Sequence, residues 1–103
     1  MMVRNKSDLF IALLKQKARL QQYGVKRLGV FGSFARGEQD EDSDIDILVE
    51  FEPDAKSFDN FMQLGFFLEE TLGRKIELLT PESLSPYIGP HILREVEYAS
   101  ISA

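Results

Sequence analysis

A chain of 103 residues, 44% hydrophobic and 28% charged, has the size and balance of one small soluble domain, expected to span residues 1–103 with a core over about 25–98. Twelve Lys and Arg against seventeen Asp and Glu leave a net charge of −5, which argues against direct nucleic-acid binding through a basic stripe. The absence of cysteine excludes disulfides and thiolate metal centres, the single His91 excludes a histidine zinc cluster, and no run of about eighteen apolar residues exists to cross a membrane, so the expected location is the cytoplasm.

Lys6 to Tyr23 reads as a first helix, because Phe10, Leu13, Leu14 and Ala18 recur at three- and four-residue spacing toward a core. Ser7 is its expected N-cap, and Gly24 sits where a left-handed C-terminal cap belongs. Val25 to Phe31 follows as a strand, Ser33 to Arg36 starts a short helix, and Gly37 to Ser43 is an acidic loop without hydrophobic period. Asp44 to Phe51 alternates as a second strand, with Asp44, Asp46, Leu48 and Glu50 on one face and Ile45, Ile47, Val49 and Phe51 on the other. Pro53 breaks it.

A second long helix is expected from Ser57 to Leu72, with Phe58, Phe61, Met62, Gly65, Leu68 and Leu72 on its apolar stripe and Gly73 as its stop. Lys75 to Thr80 reads as a third strand, in which Ile76 and Leu78 oppose Glu77 and Leu79. Pro86 and Pro90 divide the remainder, and Pro90 to about Tyr98 reads as a last helix carrying Ile92, Leu93 and Val96. The fold class is α/β (α+β): a small mixed sheet packed against helices.

The chemistry concentrates between Leu28 and Phe51. Asp44 and Asp46 lie two apart on a strand, so their carboxylates project to one face about 6.5–7 Å apart at the backbone. Two carboxylates converging in this way repel unless a cation lies between them, and donors that are all oxygen suit Mg2+ or Mn2+. A pair of such ions about 3.5–4 Å apart is the usual clamp for phosphoryl chemistry. Taken alone, Asp-x-Asp more often marks a solvated strand face. Here, however, Gly32-Ser33 stands where a strand gives way to a helix, so free N–H groups and the helix dipole favour a phosphate, to which the Ser hydroxyl can donate. Arg36 either adds a charged donor to that cradle or pairs locally.

A third carboxylate is expected on a neighbouring strand. Glu77 is the candidate, because a Glu within IELL is costly unless paired, metal-bound or at an edge. Two competing motifs fail. Gly32 to Gly37 has P-loop spacing, but Glu38 stands where the phosphate-binding Lys belongs. The run Asp40, Asp42, Asp44 opens like an EF-hand, but Ile45 and Phe51 occupy its Gly and Glu positions.

Gly32-Ser33, ten residues, then Asp44-Ile45-Asp46 resembles the signature of the DNA-polymerase-β-type nucleotidyltransferase superfamily. The longer stretches GSFARGEQDEDSDIDILVEF and GRKIELLTPESLSPYIGPHILREVEYA are similar to its smallest members, the minimal nucleotidyltransferases (MNT) that include the MntA-like antitoxins. The resemblance covers nearly the whole chain, and it implies the minimal nucleotidyltransferase fold. By it, Gly32 and Ser33 bind the triphosphate of ATP, and Asp44 and Asp46 hold Mg2+. Glu77 falls at the third carboxylate, often Asp in the family, as a further metal ligand and general base.

MntA-like antitoxins pair with a HEPN ribonuclease toxin and transfer AMP from ATP to a toxin tyrosine. The resemblance therefore implies such a toxin as partner in a hetero-oligomer. Two alternatives stand beside this expectation. One is a non-catalytic antitoxin acting by binding alone, which Glu77 in place of Asp keeps open; the other is a nucleotidyltransferase with a small-molecule acceptor, set against the lack of room for a second, substrate-binding domain.

Overall fold

In the computed structural model, which describes residues 2–101, the helices are α1 (Lys6–Lys15), α2 (Lys17–Gln22), α3 (Gly32–Arg36), α4 (Phe58–Leu72) and α5 (Gly89–Glu95). The strands are β1 (Val25–Phe31), β2 (Ile45–Phe51), β3 (Ile76–Leu79) and β4 (Glu97–Ser100). They form one mixed sheet in the order β3-β2-β1-β4, with β1 antiparallel to β2 and β4, and β2 parallel to β3. A parallel pair needs a long crossover, and α4 provides it.

The period-two pattern of β2 sorts its side chains between two unequal apolar layers. Ile45, Ile47 and Val49 face the main core, where they meet Leu28 and Val30 of β1, Leu9 and Leu13 of α1, Leu20 of α2, Phe34 of α3 and Leu64, Leu68 and Leu72 of α4. Leu48 faces the other side and packs with Phe31 of β1 and Ile92 of α5, flanked by Leu79, Leu84 and Val96. Asp46 has the same parity as Leu48 and therefore lies on this thinner side, which α5 covers. Val3 and Ile101 also join the main cluster, so it draws on almost the full described length.

Several expectations are corrected. The first helix is two: Gln16 leaves helical geometry at φ −99° and ψ 16°, and α2 restarts at Lys17. Its N-cap is Asn5, whose Oδ1 accepts the Asp8 N–H at 2.8 Å, rather than Ser7. The buried stripe is Leu9, Leu13 and Leu20, which leaves Leu14 53% exposed. In α4, which begins at Phe58 rather than Ser57, Ser57 is the N-cap and accepts the Asn60 N–H at 3.1 Å. The buried positions there are Leu64, Leu68 and Leu72 at four-residue steps, while Phe58 is 77% exposed. Both helices offer more apolar residues than one face can hold, and periodicity alone cannot say which neighbour loses.

The C-terminal correction is larger. The last helix stops at Glu95, Val96 is extended at ψ 136°, and Tyr98 lies in β4, with Gly29 of β1 opposite. β1 would otherwise present an unpaired edge, and Glu97–Ser100 satisfies its backbone groups. Gly29 makes the pairing possible: a Cβ there would lie 2.3 Å from Val96 Cγ2 and 3.0 Å from Tyr98 Cε1. A pairing across some seventy residues of chain leaves no trace in local periodicity.

Candidate active site

The site begins where β1 ends. Phe31 pairs with Asp46, and the next residue, Gly32, turns the chain at φ 72° to open α3. That conformation lies in the left-handed region, where side chains are disfavoured. Space excludes them as well: a Cβ on Gly32 would stand 1.9 Å from Asp46 Oδ2. The Asp46 carboxylate thus lies directly against the backbone of the Gly-Ser turn. Ser33 is half-buried beside it, and Gly37, at φ 73°, ends α3 after five residues.

The β2–β3 register brings in Glu77. Asp46 pairs with Glu77, and Leu48 with Leu79, so both carboxylates share the thinner face. β3 is an edge strand and Glu77 is exposed, so solvent alone suffices to accommodate its charge. Asp46 is half-buried, and its carboxyl is pushed from an ordinary 3.8 up to about 7. Burial is the largest cause, followed by a hydrogen bond shared with Glu77 and by the negative charges of Glu77 and Asp44, with Arg36 opposing.

Asp44 is exposed just ahead of β2. Among the described residues, no three Asp, Glu, His or Cys side chains converge closely enough to enclose a cation as they stand. The donor set nonetheless fits a hard divalent ion. It is all oxygen, and the crowded Asp46–Glu77 pair carries the repulsion that a cation between carboxylates removes.

Arg36 lies one turn into α3. Its Nε donates to Glu38 Oε1 at 2.6 Å, and its Nη1 donates to Glu95 Oε1 and Oε2 at 3.0 and 3.1 Å. The Gly32 N–H also donates to Glu95 Oε1. Glu95 is absent from the sequence-derived site, although an acid at the C-terminal end of a helix, against the helix dipole, was its one local signal.

Arg74 is a second omission. Its Nη1 donates to the carbonyls of Asp40 and Ser43 at 2.9 and 2.8 Å, and its Nε to that of Val3 at 2.8 Å. Its guanidinium also lies 5.0 Å from the Phe34 ring centre. It thereby ties down the acidic loop that leads into Asp44. A groove of about 270 Å³ at the opposite end of β2, lined in part by Lys26, Phe51, Lys56 and Thr80, includes none of these residues.

The nucleotidyltransferase domain family matches residues 13–100. The protein adenylyltransferase MntA of Thermococcus cleftensis is 45% identical over 83 residues, which span 81% of this chain and 83% of that one. A solved structure described as a candidate minimal nucleotidyltransferase superposes with a TM-score of 0.78 at 32% identity, over 91% of this chain and 95% of that chain. A further structure, a tri-AMPylated HEPN toxin of Shewanella oneidensis in complex with an MNT antitoxin, shares the fold with a TM-score of 0.55 at 16% identity, over 82% of this chain and 69% of that chain. With its mixed four-stranded sheet, its Gly-Ser turn against Asp46 and the match over most of its length, this chain belongs to the nucleotidyltransferase family, as a minimal member of MntA type.

Proposed function

We propose that this enzyme transfers AMP from ATP to a tyrosine of a cognate HEPN ribonuclease toxin, using Mg2+, and so serves as that toxin's antitoxin. The observation that carries the reading is the contact of Asp46 with the backbone of Gly32, which joins an anion-binding turn to a crowded carboxylate pair. The relative named as a protein adenylyltransferase, and the AMPylated toxin held by an MNT protein of the same fold, support the choice of acceptor.

Each residue then has a task. The backbone of Gly32 and the hydroxyl of Ser33 hold the triphosphate, with Arg36 as a charged donor. Asp44, Asp46 and Glu77 would hold Mg2+, as two ions, or Mn2+ in its place. When bound, the metal supplies charge neutralisation at the phosphate. The tyrosine oxygen attacks the α-phosphorus in line; an O–P bond forms as the bond to pyrophosphate breaks, and Glu77 accepts the hydroxyl proton. Catalysis on this scheme is mainly positioning and electrostatics. Asp44 and Glu77 are both exposed, which leaves the acceptor side open to a macromolecule. The 103 residues act here as one domain, in a hetero-oligomer with the toxin.

Mass spectrometry of the toxin after incubation with this protein, ATP and Mg2+ tests the proposal. The expected result is a mass gain in AMP steps on a tyrosine, lost in Asp44→Asn/Asp46→Asn. A second reading stays open because Glu77 stands where the family often has Asp. A toxin silenced with no mass gain would establish that reading, neutralisation by binding alone.

A further inference from the structure

Three features single out Glu95. Its carboxylate takes the Gly32 N–H and the Arg36 Nη1 together, two of the three donors assigned above to the triphosphate. It comes from 63 residues away, across the thin side of the sheet, so the contact is tertiary rather than an accident of neighbouring sequence. It is also misplaced for its own helix. As the last residue of α5, a carboxylate faces the negative end of the helix dipole, where Arg or Lys would stabilise. Its partners lie at α3, and only there is its charge compensated.

Glu38, the other acid on Arg36, provides the contrast. It pairs with Arg36 Nε at 2.6 Å from a side chain 65% exposed, against 28% for Glu95. Among the described contacts it has none with Gly32. Glu38 is therefore a surface ion pair, whereas Glu95 spans both halves of the cradle.

We infer that Glu95 is a positioning residue: an internal anion that keeps the Gly32–Arg36 cradle organised without nucleotide and sets nucleotide affinity by competing with the triphosphate for the same donors. The inference rests on the cradle assignment made under the proposed function. Binding is then an exchange of anions. The triphosphate takes the Gly32 N–H and Arg36 Nη1, Glu95 turns out toward solvent, and Arg36 keeps Glu38. Removing the Glu95 charge removes the competitor, so affinity rises. A residue that merely braced Arg36 would have the opposite effect.

The test is calorimetric titration of inorganic tripolyphosphate and of ATP, at fixed Mg2+, into the wild type, Glu95→Gln, Glu95→Ala and Glu38→Gln. Glu95→Gln keeps a carbonyl that can accept from Gly32, so it remains informative should the alanine variant melt early. Both Glu95 variants are expected to bind about tenfold tighter, the scale of one charge-assisted hydrogen bond no longer contested. Glu38→Gln is expected to stay within about twofold, as an exposed pair does. In turnover, KM for ATP falls in Glu95→Gln while kcat holds.

Wild-type binding combined with unchanged or weaker binding in stably folded Glu95 variants overturns the inference and leaves Glu95 a brace. Equal tightening in Glu38→Gln overturns it too, in favour of diffuse repulsion. Absence of binding in every protein, wild type included, removes the cradle assignment and the inference together.

Discussion

Gly32 is the least replaceable residue in the site, on grounds of space alone. A methyl group there would need the room that the Asp46 carboxylate fills, on a backbone at φ 72°. Gly32→Ala is expected to cost at least about 1–2 kcal/mol from conformation, and to abolish ATP binding because Asp46 must move. Thermal unfolding and calorimetry check the two effects separately. Asp46 itself makes a prediction about pH. Its carboxyl is raised from 3.8 to about 7 in the fold, so the folded chain binds this proton more tightly than the unfolded chain. That stabilisation is full below 3.8 and is lost as pH climbs toward about 7. In metal-stripped protein, Asp46 should therefore make Tm fall as pH rises through this window, and Asp46→Asn should flatten the slope. Added Mg2+ should raise Tm most at the high end, where the carboxylates are ionised. Gly32, Ser33, Asp44 and Asp46 stand out in the sequence because their spacing is local, and the fold sets the Asp46 carboxylate against the Gly32 backbone. Glu95 was not, since only the tertiary fold brings it to Gly32.

At the scale of elements, the legible parts were those in which one period dominates. β1 and β2 fall where alternation and glycine punctuation place them, except that β2 begins at Ile45 rather than Asp44. The C-terminal stop of α4 at Gly73 also follows from local chemistry. The choice of buried face did not, since Phe58, Met62 and Leu64 compete within a single turn or two and the sheet decides in favour of Leu64. Leu68, 1% exposed at the centre of that face, should cost about 2–5 kcal/mol when cut to Ala. Phe58→Ser should change stability by no more than about 0.5 kcal/mol. Urea unfolding of both variants would verify the assignment of faces. Arg74 acts between elements. By holding the carbonyls of Asp40 and Ser43, it fixes the loop from which Asp44 departs. Arg74→Ala should therefore weaken Mg2+ affinity as well as stability, a pairing that an arginine bracing a loop remote from Asp44 would not produce; titration of the metal against Tm reads both.

For the whole molecule, the sequence was enough to identify the fold class, but not the fourth strand. Glu97–Ser100 has no strong strand pattern of its own and becomes a strand because β1 offers it a free edge. The proposed toxin complex makes a prediction at this scale. Asp44→Asn/Asp46→Asn changes one exposed and one half-buried carboxylate and leaves the helices untouched, so it should still co-elute with the toxin in size-exclusion chromatography with light scattering while losing AMP transfer. Loss of the complex would tie docking to the carboxylates themselves.

The parallel pairing of β2 with β3 has a consequence for how the enzyme comes into being. Asp46 and Glu77 meet only after α4 has formed and crossed over, and the Gly32 turn gains Glu95 only when the end of the chain has docked. Such long loops close slowly, and nothing local rewards them until they close. Each acid is present in the newly made or unfolded chain, yet none stands beside its partner. Chemical competence therefore arrives in one late step: on dilution from denaturant, the recovery of ATP binding should lag behind the return of helical signal.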